Sequence, residues 1–104
     1  MSTDSKAARE AITDKIKSQA RIVRAKLETL KAKAESAKAG AELTTIMDLL
    51  AAKKAIDRQL DTLQKSTEKI YEQTRADIEL RLAELEKSAQ AVEAELAAIH
   101  NPER

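Results

Sequence analysis

The chain has one histidine, His100, no cysteine, and four carboxylates close together near its C-terminal end: Glu84, Glu86, Glu93 and Glu95. A histidine and carboxylates at helical spacing are the raw material of a metal site or a general acid–base pair. The spacing here does not assemble either. Ala97 and Leu96 stand three and four positions before His100, so no Glu-x-x-His pair exists. A histidine at the end of a helix is favoured by the helix dipole, and capping is the role expected of His100. The glutamates belong to a stretch with no loop to wrap a cation, so they read as a solvated or salt-bridged face. Gly40 is the only glycine, which excludes a phosphate-cradling loop, and GxSxG and HExxH are absent. The sequence argues against an enzyme and implies no cofactor, metal or catalytic residue.

A second chemistry is charge pairing. Lys17, Arg24 and Lys31 recur every seven residues, and Glu79, Glu86 and Glu93 repeat the same interval. Charges flanking an apolar seam set partner choice and orientation in coiled coils. Antiparallel pairing between two chains would match Lys17 with Glu93, Arg24 with Glu86 and Lys31 with Glu79. A three-helix monomer would run its third helix parallel to the first and use Lys26 and Lys33 instead. Net charge is +1, yet residues 1–40 hold ten Lys/Arg against five Asp/Glu, and residues 65–104 hold six against nine. The basic first helix raises nucleic-acid binding as an alternative function. The acidic third can neutralise it internally, and no aromatic is placed to stack on bases. Lipid-surface binding by amphipathic helices is the other alternative, weakened by the lack of Trp and Phe anchors.

These residues need long helices to hold them. Charged residues make up 36% of the chain, Tyr71 is the only aromatic, and Pro102 the only proline. Such a composition with helical periodicity points to coiled coil. Ile16, Ala20, Val23, Leu27, Leu30, Ala34, Ala37 and Ala41 fall at alternating intervals of four and three, a heptad stripe. The first helix is expected over about 5–39, capped by Asp4 or Ser5 and ended by Gly40 in the left-handed position. A turn over 40–44 follows, and Thr45-x-x-Asp48 resembles a capping box. The second stripe reads Ile46, Leu49, Lys53, Ile56, Leu60, Leu63, Thr67, Ile70 and Thr74, then continues after one four-residue stutter at 74–82. Asn101-Pro102 ends it.

The expected fold is therefore all-α: a single antiparallel helical hairpin, with a long second helix over about 45–100, associating as a homodimer. The alternative is a three-helix bundle broken near Ser66-Thr67, where no Gly, Pro or Asn assists a turn. In the hairpin, Ile78, Leu82, Leu85, Val92, Leu96 and Ile99 overhang helix 1 and need a partner. Leu43, Met47 and Leu50 form an adjacent apolar face, read as a dimer contact or packing around the turn, or as a docking site for another helical protein. Tyr71 reads as packing. Lys53 would lie opposite Leu30, a poor layer unless its amine reaches water. No apolar run approaches a membrane span and the first residues lack a secretory apolar region, so a soluble cytoplasmic protein is expected. The function that follows is a non-enzymatic coiled-coil interaction module, a scaffold, adaptor or small chaperone.

Overall fold

A computed structural model describes residues 2–100, without the side chains of 2–6, 68 and 100. Asp4 and Ser5, expected to cap the first helix at its start, already lie inside it, while the His100 side chain and the stop at Asn101-Pro102 lie outside the described residues. The rest is all-helical: α1 (Ser2–Ser36), α2 (Gly40–Gln64) and α3 (Glu68–His100). The helices pack up, down and up into a rod with extents of 60 × 20 × 17 Å.

The apolar intervals of α1 translate directly into burial. Ile16, Ala20, Val23, Leu27, Leu30 and Ala34 are all buried, and the stripe begins one turn earlier, with buried Thr13. Each large side chain among them contributes about 1.5–3 kcal/mol on burial. Ala37 is partly buried and Ala41 is exposed, because α1 has ended before either can continue the stripe.

The first turn lies at 37–39, earlier than expected, and Gly40 is not its left-handed residue. That position belongs to Lys38, with φ 56, whereas Gly40 has negative φ and opens α2. The bonds form a Schellman motif. Ala39 N–H donates to the Ala34 carbonyl at 2.9 Å, and Lys38 N–H to the Glu35 carbonyl at 3.2 Å. Ala39 (φ −87, ψ 80) then makes an inverse γ-turn, with Gly40 N–H donating to the Lys38 carbonyl at 3.2 Å. Packing selects this register. The motif closes with a contact between its third-last helical residue and the second residue beyond the end; here these are Ala34 and Ala39, both buried. Placing Gly40 in the left-handed position would hand that closing contact to polar Ser36. The expected capping box at Thr45-x-x-Asp48 is likewise not the start of α2. Thr45 is already helical, and its Oγ1 donates to the Ala41 carbonyl at 3.2 Å.

The expected continuous helix over 45–100 is interrupted at 65–67, so the single long second helix of the hairpin is two helices here. The end of α2 tightens: Lys65 N–H donates to the Thr62 carbonyl (3.1 Å) and Ser66 N–H to Leu63 (3.2 Å), three residues back in each case. Ser66 Oγ donates to the Thr62 carbonyl at 2.8 Å, and the Thr67 carbonyl accepts the first bond of α3, from Tyr71 N–H, at 2.8 Å. The break re-aims the chain. Ile70, which continues the α2 stripe by interval, is 51% exposed, while neighbouring Tyr71 is 2% exposed and starts the core face of α3. From Ile78 onward the expected stripe is buried: Ile78, Leu82, Leu85, Ala89, Val92 and Leu96.

Candidate interaction surface

Most polar side-chain atoms that reach the interior find partners within the chain; Gln59 Oε1 and Arg75 Nε are buried without one. At the α2–α3 end of the rod, Tyr71 inserts between α1 and α3. Its hydroxyl donates to the Arg9 carbonyl at 3.0 Å and lies 3.3 Å from Thr13 Oγ1, and the Arg9 guanidinium sits 5.1 Å from the ring centroid. Tyr71 is thus packing, as expected, with a polar anchor that also explains why Thr13 is buried. Lys53 does not reach open water opposite Leu30. It is buried, and its Nζ lies 2.7 and 2.9 Å from the two carboxylate oxygens of half-exposed Asp57 one turn on. Between α2 and α3, Gln59 Nε2 donates to Asp77 Oδ2 at 2.8 Å, and Arg81 Nε reaches the same oxygen at 3.1 Å. Arg75 bridges Glu72 (2.8 Å) and Glu79 (3.2 Å). The hydrogen bond that Arg75 donates to the Glu72 carboxylate raises the Arg75 pKa above its already high ordinary value. Among the described residues, no group of three or more His, Asp or Glu side chains is placed to hold a metal ion.

The expected charge partners are rearranged within the chain. Glu93 Oε1 meets Lys26 Nζ at 3.2 Å, the pairing that a third helix parallel to α1 requires. Arg24 pairs with Glu28 on its own helix at 3.2 Å, and Glu79 with Arg75. Lys17 and Arg24, with Arg21, line the α1 side of a shallow groove whose α2 side carries buried Lys53 and the carboxylates of Asp57 and Asp61. Lys31 is half-buried.

The apolar candidates divide in the same way. Ile78, Leu82, Leu85, Val92 and Leu96 do not overhang: α3 folds back and spends them on α1 and α2. Ile99, near the end of α3, remains exposed. Leu43 and Leu50 are partly buried against the core, and Met47 beside them is exposed.

Two further exposed apolar residues lie off the stripes, Ile22 and Leu80. Ile22 stands next to stripe residue Val23 and Leu80 midway between Ile78 and Leu82, so only their being off the three–four pattern signals them. Leu80 is on the outer side of α3. Ile22, 68% exposed, borders a groove of about 290 Å³ between α1 and α3, with Val23 and Ala89 at its base. Gln19 and Lys26 form one bank, Glu86 and Gln90 the other. α1 and α3 meet less extensively than either meets α2, which leaves this seam open.

Together the fold and surface define an antiparallel three-helix bundle with charged banks and a few isolated apolar side chains. In comparisons with known proteins, no family model, no curated protein and no solved structure matches the chain. No helix among the described residues is long and apolar enough to cross a membrane.

Proposed function

We propose that the chain is a non-enzymatic helical interaction module, of scaffold or adaptor type, whose partner is an amphipathic helix of another protein. The supporting observation is the α1–α3 seam around Ile22. A bundle of three helices leaves one seam without the fourth helix that would cover it in a four-helix bundle. Here that seam has a small floor residue, Ala89, an exposed apolar rim residue, and a cationic and an anionic bank. A helix carrying one large apolar side chain flanked by Glu and Lys would complement it.

The test pairs cross-linking capture with two surface variants, Ile22→Asp at the seam and Leu80→Asp on the outer side of α3. Both side chains are exposed, so melting temperatures should hold. Binding of the captured partner should weaken at least tenfold with Ile22→Asp and not with Leu80→Asp. Equal binding by both variants refutes this seam as the docking surface.

A second reading rests on the basic bank of Lys17, Arg21 and Arg24, which suits a polyanion such as nucleic acid. Phosphate contacts make affinity fall steeply with salt. A flat or absent binding curve with labelled DNA or RNA between low and moderate salt dismisses that reading.

A further inference from the structure

The turn between α2 and α3 has an unusual property: nothing in its sequence requires it. Lys65, Ser66 and Thr67 include no Gly, Pro or Asn, and among the described residues the one left-handed non-glycine is Lys38, at the other turn. Lys65 itself has φ −100 and ψ 1, a small rotation from α-helix. The apolar intervals run through the turn unbroken, from Leu60 and Leu63 to Thr67, Ile70, Thr74 and Ile78. The folded bundle departs from this pattern at one large residue. Ile70 is left 51% exposed, and Tyr71 takes the core instead.

We propose that Lys65–Thr67 is a hinge with two states, and that its straight state fuses α2 and α3 into one helix and passes α3 to a second copy of this chain. The fused helix would span residues 40–100, about 90 Å at ~1.5 Å per residue. In that dimer each α3 lies on the α1–α2 hairpin of its partner. The contacts that α3 makes within one chain, Lys26 with Glu93 and Gln59 with Asp77 included, re-form between chains. The exchange of an identical element costs little in contacts, so the balance is set by the hinge. Straightening gives up the bonds of Lys65 and Ser66 N–H to the Thr62 and Leu63 carbonyls three residues back, while the Ser66 Oγ bond to the Thr62 carbonyl is one that a helix also accepts, as at Thr45. It gains helical backbone bonds across 65–67 and returns Ile70 to the stripe of a continuous helix. Short hinge loops are where such exchange begins. This inference does not depend on the partner helix proposed for the Ile22 seam.

The experiment is light scattering with size exclusion on the full chain, refolded at low and high protein concentration. The wild type should populate a dimer of twice the 11.5 kDa chain mass after refolding at high concentration. Replacing both hinge hydroxyl residues (Ser66→Ala with Thr67→Ala) raises helix propensity twice per chain and four times per dimer. The dimer dissociation constant should fall by roughly tenfold to fiftyfold. Glu68→Pro tests the opposite direction. Proline is accepted at the first residue of α3 but not in the middle of a fused helix, so this variant should stay monomeric throughout. Chain exchange is read from a refolded mixture of ordinary and ¹⁵N-labelled protein, joined with a zero-length amine–carboxyl cross-linker. In the dimer fraction, Lys26–Glu93 links of mixed isotope are expected. Dimers whose Lys26–Glu93 links never mix isotopes overturn the proposal. So does dimerisation by Glu68→Pro equal to the wild type, or a double-alanine chain that stays monomeric at every concentration.

Discussion

Exchanging the residue types at the first turn tests the helix-end geometry directly. Lys38 adopts φ 56 and Gly40 does not, so glycine sits two positions from where its freedom is useful. A non-glycine residue in the left-handed region costs roughly 1–2 kcal/mol. Lys38→Gly removes that cost. Against it stand the larger unfolded-state freedom of glycine, about 0.5–1 kcal/mol, and the loss of a cation near the C-terminal dipole, about 0.3 kcal/mol. The net expectation is a gain of about 0.5 kcal/mol. At Gly40 a new Cβ meets nothing within 4 Å and the backbone is helical, so Gly40→Ala should also stabilise by about 0.5 kcal/mol. The double variant should gain about 1 kcal/mol, a rise in melting temperature of roughly 4–8 °C for a domain of this size. Thermal and urea unfolding followed by circular dichroism measure both. If Gly40→Ala or Lys38→Gly lowered the midpoint by a comparable amount, the left-handed residue would be Gly40 and the Schellman assignment wrong.

Three further outcomes follow from the ion pairs and the tyrosine anchor. Asp57→Ala leaves the buried Lys53 amine unpaired and should cost about 1–2 kcal/mol, less than a fully buried pair because Asp57 is half-exposed; Lys53→Met should be neutral or stabilising in the same urea titration. Tyr71→Phe removes the hydroxyl that serves the Arg9 carbonyl and Thr13 and should cost about 1–2 kcal/mol, with unchanged helix content by circular dichroism. A double-mutant cycle on Lys26 and Glu93 should return a coupling of about 0.2–1 kcal/mol that shrinks in 1 M salt, and zero coupling at low salt would count against the parallel α1–α3 seam.

Much of the core was legible because intervals of three and four leave little choice about which residues face inward. The α1 stripe from Ile16 to Ala34 and the α3 stripe from Ile78 to Leu96 are buried as periodicity indicates. Both turns were harder to read, for different reasons. At the first, Gly40 drew the assignment because glycine tolerates positive φ. The end of the helix is set instead by which alanines can close against the core. At the second, the break falls in a run of helix-tolerant residues, so tertiary packing of α3 overrides an unbroken pattern. The exposed Ile70 beside the buried Tyr71 is its trace. The surface was the least legible part. Lys26–Glu93 was readable only under the three-helix alternative, and the exposure of Ile22 depends on how widely α1 and α3 separate, which intervals along one helix do not encode.

Three passes along a 60 Å rod leave Ser2 and His100 at opposite poles. Tension applied through those ends loads the helices lengthwise. Neighbours must then slide past one another, with ranks of interlocked side chains giving way together. A two-pass hairpin pulled from its free ends opens one layer at a time. The odd number of passes makes this slender molecule mechanically a tie.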